Sequence, residues 1–124
     1  MDRRNVLLAA LSAPLLAAET DIFVGTPLIS VESDPRESKR TELSNTTDSK
    51  YRCRIVRQGR KYFWASRGSR ELIRANAGDW TYFVSPEGSG YVKVLTGDIP
   101  MPYDYIEHVT DELKTYTYWG KRAD

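Results

Sequence analysis

The chain has 124 residues, a formal net charge of +1, 40% hydrophobic residues and 28% charged residues. This length accommodates one domain, and the composition is that of a globular protein rather than a disordered or fibrous one. Its single cysteine, Cys53, excludes an internal disulfide framework and a zinc site built from cysteines alone.

Residues 1–18, the leader, differ in composition from the rest of the chain. Arg3 and Arg4 supply positive charge, and residues 6–18 contain only Val, Leu, Ala, Ser and Pro. A charged start, an apolar run and a small-residue end are typical of a secretory signal peptide, and the run is shorter than the ~20 residues of a membrane-spanning helix. We therefore predict export, either periplasmic or secreted, with cleavage after Ala18.

Two alternatives to simple secretory export stay open for the leader. Residues 3–8 resemble a bacterial twin-arginine signal, which implies a different export route. A cytoplasmic protein whose leader is a packed N-terminal helix is the other alternative. In either compartment, contact with a membrane is expected only through an uncleaved leader.

Residues 19–50 are predicted to form a first strand region and a polar linker. Apolar residues recur over residues 21–31, but Gly25 and Pro27 interrupt them, which favours two short pieces or an edge strand. Residues 32–50 are rich in Ser, Thr, Asp, Glu and Lys, a composition typical of a loop.

Residues 51–124 are predicted to form the core of the β domain, beginning with a hairpin. Apolar and basic residues alternate over residues 51–56, which is the period of a strand, and a second run follows at residues 61–66. A two-residue loop at Gln58-Gly59 would place two sets of side chains on opposite faces. The aromatic and apolar inner face would hold Tyr51, Cys53, Ile55, Tyr62 and Trp64, and the basic outer face would hold Arg52, Arg54, Lys61, Phe63 and Arg67.

The remaining elements are also mostly strands. Residues 80–84 and 91–95 are predicted to form a hairpin that is either covered on both sides or part of a barrel wall. Residues 69–77 are predicted to form one or two helical turns, and residues 114–119 a last strand. Residues 103–113 show no clear period. The pattern predicts a mainly β fold: a small antiparallel barrel or sandwich built from hairpins, with at most one or two short helices.

Positive charge is concentrated in the first hairpin and the segment after it. Residues 50–74 contain nine basic residues and one acidic residue, whereas residues 19–49 and 75–124 each carry a net charge of −4. Arginines interleaved with aromatic rings are typical of a surface that binds a polyanion. The candidate partner-binding residues are therefore Arg52, Arg54, Lys61, Phe63 and Arg67. The alternative is that the acidic segments neutralise this basic block within the molecule.

The residues that could support catalysis are few. His108 is the single histidine, and no nucleophile motif accompanies it, so a structural or surface histidine is the simpler interpretation. Cys53 falls on the inner face of the hairpin and is predicted to be an inert, buried thiol. We predict no catalytic residues, no metal ligands and no cofactor, and hence no enzyme.

One family resemblance rests on three short segments. Tyr51-Arg52-Cys53, Ser89-Gly90-Tyr91 and Trp119-Gly120-Lys121 resemble segments of small secreted lysozyme inhibitors, although the second cysteine of that pattern is missing. The resemblance implies a compact β-barrel with a serine-bearing loop that enters a lysozyme cleft.

These observations leave three functional hypotheses. The first is an exported, non-catalytic β domain that binds a macromolecule or an envelope component. The second is a cytosolic nucleic-acid or polyanion binder that uses the basic residues 50–74. The third is a secreted inhibitor similar to the lysozyme inhibitors. Under the first two hypotheses, the partner is expected to be a protein or a polyanion that contacts the basic hairpin.

Overall fold

The computed structural model describes residues 18–43 and 51–123. The leader prediction, apart from Ala18, therefore lies outside the described residues, as does the end of the predicted linker, residues 44–50. The described residues form nine strands. They are β1 (Thr20–Ser33), β2 (Ser38–Glu42), β3 (Cys53–Gln58), β4 (Lys61–Trp64), β5 (Arg70–Ala77), β6 (Trp80–Val84), β7 (Gly90–Leu95), β8 (Tyr105–Asp111) and β9 (Lys114–Arg122).

The strands form a closed antiparallel barrel. From β3 to β9 each strand pairs with the next along the chain, and β1 joins β3 on one edge and β9 on the other. Eight strands thus close the barrel, and β2 pairs with β1 as an extra strand. Among the described elements, helical structure is limited to 3-10 geometry, including the turn Ala65–Arg67 between β4 and β5. The predicted mainly β fold is confirmed, and of the two predicted forms, barrel or sandwich, the structure has the barrel.

The first strand differs from the prediction of two short pieces. β1 runs unbroken through Gly25 and Pro27, and register shifts between Asp21 and Phe23 and between Pro27 and Ile29 mark irregularities in its pairing. Such bulges let a strand bend around a barrel and accommodate a proline in its interior. The loop prediction for residues 32–50 is also wrong in part, because it includes the end of β1 and the fully exposed strand β2.

The hairpin of β3 and β4 confirms the predicted inner face for Cys53, Ile55 and Trp64 and corrects the predicted turn. Arg67, predicted on the outer face, lies past β4 in the 3-10 turn and reaches the buried Glu107 inside the barrel. Gln58 pairs with Lys61, so the loop is Gly59-Arg60 rather than Gln58-Gly59. Gly59 has a φ of 66°, which suits the first position of a tight hairpin loop. The register shift is two residues, and because side chains alternate with a period of two, the faces do not change.

Residues 70–77 form strand β5 rather than the predicted helical turns. β5 pairs with β4 and β6, and these two ladders satisfy the hydrogen-bonding groups of its backbone. A helix at this position would have left the barrel open. The β6–β7 hairpin is confirmed as a barrel strand pair. Only one of its faces is covered, however: Phe83 is buried, whereas Trp80 is partly exposed.

The barrel interior is filled by side chains from nearly every strand. The core cluster comprises Phe23, Cys53, Ile55, Trp64, Leu72, Phe83, Val92, Val94 and Tyr105. The ring of Tyr105 lies against Gly25 and Gly120, where a Cβ atom would overlap it. Two glycines on neighbouring strands thus provide the space for this tyrosine inside the barrel.

The chain direction alternates from strand to strand, so the connections collect at two ends. The upper end carries the β1–β2 hairpin, the 3-10 turn, the β6–β7 turn and the β8–β9 turn. At the lower end lie the β3–β4 turn, the β5–β6 turn and the β7–β8 connection.

Candidate functional site

The upper end of the barrel holds a cavity of about 480 Å³. Its walls come from four places in the chain: the end of β4 with the 3-10 turn, the start of β5, the β6–β7 turn, and the facing ends of β8 and β9. The lining residues are Trp64, Arg67, Gly68, Arg70, Ser89, Val109, Thr110, Asp111, Tyr116 and Tyr118.

An ion pair lies beside this cavity, inside the barrel. Glu107 occupies an inward position of β8 and is completely buried. Arg67 Nη2 donates to Glu107 Oε1 at 3.0 Å, and Arg67 Nε donates to Oε2 at 3.2 Å. Trp64 Nε1 also donates to Oε2, at 2.7 Å. Both carboxylate oxygens are therefore hydrogen-bonded, which offsets the cost of burying this polar group.

Burial and charge shift the pKa values of the groups around Glu107. Burial lowers the pKa of Arg67, but the hydrogen bond and the charge of Glu107 outweigh it and raise that pKa overall. The pKa of the Cys53 thiol is raised well above its ordinary range, first by burial and then by the neighbouring Glu107 charge. Arg67 therefore stays charged and Cys53 stays a neutral thiol.

Two tyrosines of β9 divide the upper end into neighbouring compartments. Tyr116 and Tyr118 line the first cavity and also a second one of about 270 Å³, whose other wall is the β1–β2 hairpin. The guanidinium carbon of Arg67 lies 5.2 Å from the centre of the Tyr118 ring. We call the two cavities together the mouth cleft.

Polar groups surround the rim of the mouth cleft. Arg70 Nη1 donates a hydrogen bond to Ser89 Oγ. The same Nη1 atom lies 3.8 Å from a carboxylate oxygen of Glu87. The rim therefore presents both hydrogen-bond donors and acceptors around the tyrosine rings.

The predicted partner-binding residues do not form one site. Arg52 and Arg54 share a shallow groove on the outer face. Lys61 lies opposite Gln58 at the turn. This position is two residues farther along the strand from Arg54 than the position that the predicted register gave to Lys61. Phe63 is half-buried on the same outer face, opposite Val56. Arg67 is separate from them, because its side chain enters the barrel.

Acidic neighbours occupy part of the basic outer face. Arg54 Nε lies 2.9 Å from Asp21 Oδ1, and its Nη2 lies 3.7 Å from Glu19 Oε2. Lys61 Nζ lies 3.7 Å from Glu71 Oε1. These exposed pairs are weak individually, but they reduce the net charge that the face offers to a partner.

The sequence reasoning did not find Glu107, Tyr116 or Tyr118 as site residues. All three follow the two-residue alternation of β8 and β9, on the same face as the buried Tyr105. A carboxylate at an inward strand position would have been the signal, had residues 105–111 been recognised as a strand. His108 lies on the outer face, where it stacks with Tyr91 at 5.4 Å and its Nδ1 lies 2.9 Å from Thr117 Oγ1.

Comparisons with known proteins identify no relative of this chain. No protein family, no curated protein and no solved structure matches the chain. Within residues 18–43 and 51–123, no cluster of three or more His, Cys, Asp or Glu residues is arranged to hold a metal ion. The same described ranges contain no helix that is long and apolar enough to span a membrane.

Proposed function

We propose that this protein is a non-catalytic binding domain that takes its ligand in the mouth cleft. The observation that carries the proposal is the cavity of about 480 Å³, one wall of which includes Arg67, held by its ion pair with Glu107. Ligand sites typically have volumes of roughly 300–1,000 Å³ and combine aromatic walls with a few fixed polar groups. Eight-stranded barrels are wide enough to hold one small ligand group at the mouth.

The bonding of the buried groups supports a binding role rather than a catalytic one. Glu107 is completely buried, and both of its oxygens accept hydrogen bonds from Trp64 or Arg67, so its contacts lie within the barrel. Cys53 is completely buried and its raised pKa keeps it protonated, which makes it a poor nucleophile.

The shape and chemistry of the cleft favour an extended, polar ligand. Its two compartments share the rings of Tyr116 and Tyr118, on which a planar or ring-shaped group can stack. Arg70 and Asp111 supply a donor and an acceptor near one compartment, and Glu32 and Lys39 do so near the other. We propose that the ligand is an exposed segment of a macromolecule or an envelope component.

A cavity-filling substitution tests this proposal. Tagged wild-type protein and its Val109→Trp variant would be used to recover bound material from the native cells. Val109 lines the cavity, so the larger ring should displace the ligand and abolish its recovery. Val84→Trp, at a position 41% exposed on the outer face, is the matched control and should retain it. A folded Val109→Trp protein that recovers the same ligand would contradict the proposal.

We also propose that the protein acts outside the cytoplasm, on the composition of the leader. The mature chain should then begin near Glu19. The intact mass of protein from the periplasm or the medium decides this point. Recovery of the full-length chain from the cytoplasm alone would exclude export and favour the cytosolic alternative.

Polyanion binding by the outer face is a second candidate. Arg52 is exposed and, within the described residues, forms no ion pair with a carboxylate, so its charge is available to a partner.

Lysozyme inhibition is a third candidate, supported by the position of Ser89 in a turn at the rim of the mouth cleft. A lysozyme activity assay with the wild type and with Ser89→Trp tests it directly: loss of inhibition in the variant is the expected result.

A further inference from the structure

Three arginines converge on another cavity, which we call the lower cavity, at the end of the barrel opposite the mouth cleft. This cavity has a volume of about 170 Å³. Arg57, Arg74 and Arg122 line it together with a mostly apolar set of residues, Ile22, Phe23, Tyr62, Thr81, Phe83, Val94 and Thr96. No carboxylate is among the lining residues.

The alternation of the strands explains why these arginines meet. Arg57 lies two residues beyond the buried Ile55, and Arg74 lies two residues beyond the buried Leu72. Arg122 is likewise two residues beyond Gly120, an inward position of β9. All three side chains therefore point to the inner side of the sheet, but at its lower margin, where the core ends and solvent begins.

The positive charges of these arginines are not neutralised by ion pairs. In the part of the chain that the structure describes, none of the three lies within ion-pair distance of a carboxylate, in contrast to Arg54 and Arg67. Two of them donate hydrogen bonds to neutral acceptors: Arg74 Nη1 donates to the Tyr62 hydroxyl at 3.2 Å, and Arg122 Nη2 donates to the Leu95 carbonyl at 3.2 Å.

The surroundings of Arg122 orient its guanidinium over the apolar floor. Its carbon Cζ lies 5.0 Å from the centre of the Phe23 ring. The nearby Asp104 carboxylate accepts a hydrogen bond from the main-chain N–H of Arg122, at 2.8 Å. A guanidinium that lies over an aromatic ring keeps the N–H groups in its own plane available as donors.

We propose that the lower cavity is an anion-binding site for a phosphate or carboxylate group carried on a ligand with an apolar portion. Guanidinium groups present forked donors that match the oxygens of both anions, and three uncompensated charges at one concave site concentrate the positive potential there. The apolar floor, which includes Phe23 and Phe83, would take the adjoining part of the ligand. This inference is independent of the function proposed for the mouth cleft.

Calorimetric titration with three probes tests the chemistry of the site. Phenyl phosphate should bind more tightly than inorganic phosphate, because its ring adds contact with the apolar floor. Benzyl alcohol, which has a ring and no charge, should not bind measurably. Benzoate in place of phenyl phosphate distinguishes a carboxylate from a phosphate ligand by its relative affinity. Failure of both phenyl phosphate and benzoate to bind would overturn the proposal.

Substitution of the arginines tests the location. Arg74→Gln and Arg122→Gln should each weaken phenyl phosphate binding by about tenfold or more, the usual effect of losing one charge-assisted hydrogen bond. Arg60→Gln, which removes an exposed charge from the β3–β4 turn outside the cavity, should change the affinity by less than about twofold. Equal losses in all three variants would indicate nonspecific attraction and would refute a defined site.

Chemical-shift mapping on the wild-type protein locates the site even if a variant does not fold. Phenyl phosphate should shift the amide resonances of Arg74 and Thr96 at the lower end. The amides of Gly68 and Ser89 at the mouth cleft should not move. Shifts confined to the mouth cleft would place the anion at the other end of the barrel and overturn the inference.

Discussion

Arg67 and Glu107 form a two-point ion pair inside the barrel although 40 residues separate them in the chain. Arg67 reaches Glu107 from the 3-10 turn, where its side chain is 22% exposed, whereas that of Glu107 is completely buried. The pair joins the β4–β5 connection to β8, and Trp64 adds a third donor to the same carboxylate. One ion pair thereby holds one wall of the mouth cleft against the barrel core.

Removing the carboxylate should destabilise the fold strongly. Glu107→Gln would leave the Arg67 charge without its partner, and breaking a buried ion pair from one side typically costs about 3–5 kcal/mol. We expect a loss near the lower value, because Arg67 is partly exposed, measured as the free energy of unfolding in urea. Glu112→Gln, in the exposed β8–β9 turn, is the control and should change little.

A double substitution separates the ion pair from simple packing. Arg67→Met together with Glu107→Leu removes both charges, and apolar replacement of a buried pair is often neutral or stabilising. The double variant should therefore be more stable than Glu107→Gln. If it is less stable, the hydrogen bond from Trp64 to Glu107 contributes more than the pairing with Arg67.

Two tryptophans on opposite faces of the sheet should respond differently to truncation. Trp64 is fully buried in the core, and truncating a buried aromatic residue to alanine typically costs about 3–5 kcal/mol. Trp64→Ala should therefore yield unfolded or insoluble protein. Trp80→Ala removes a ring that lies on the outer face beneath the Lys93 amino group, 4.5 Å away, and should leave a soluble barrel. Thermal melts of both variants measure the difference, and similar melting temperatures would contradict the assigned faces.

Stability should fall in alkali. Burial raises the pKa of Cys53 above its ordinary value of 9.0 and that of Tyr105 above its ordinary 10.0. Above about pH 9 the unfolded chain therefore releases protons that the folded chain still holds. Because the unfolded state then binds fewer protons, raising the pH favours it. Melting temperatures measured from pH 7 to pH 11 should decline from about pH 9 upward.

Tyr105→Phe tests one contributor to this decline. Within the described residues the buried hydroxyl of Tyr105 has no hydrogen-bond partner, so its removal should cost little stability at pH 7. The variant should also lose less stability than the wild type between pH 10 and 11. Tyr103→Phe is the matched control and should follow the wild-type curve. An unchanged alkaline decline in Tyr105→Phe would show that this hydroxyl does not contribute.

Charge reversal on the outer face should separate binding from internal pairing. Replacing Arg52, Arg54 and Lys61 together by glutamate places like charges beside Asp21 and Glu71. We expect the melting temperature to fall by a few degrees, because exposed pairs contribute little individually. If the face binds a polyanion, retention on a heparin column should be lost and wild-type retention should weaken with salt. Unchanged retention would assign these charges to internal pairing.

Within a single strand, the sequence by itself determined which side chains share a face. Alternation over residues 51–56 put Cys53 and Ile55 inside, and this held although the turn lies one residue later than predicted. The mainly β fold and the β6–β7 hairpin followed from the same local periodicity and from glycine-rich turns. Local patterns are sufficient for these features because alternation and turn geometry depend on residues that are adjacent in the chain.

Only the tertiary structure decided which residues became neighbours. The pairing of β1 with β9 closes the barrel and joins the two ends of the described chain. That closure requires residues 70–77 to form a strand rather than the predicted helical turns, since the backbone of β5 must complete two ladders. It also brings Arg67 to Glu107, and Arg122 to the same cavity as Arg57. A period of two specifies a face and not a partner, so these contacts depend on long-range pairing that the local sequence does not encode.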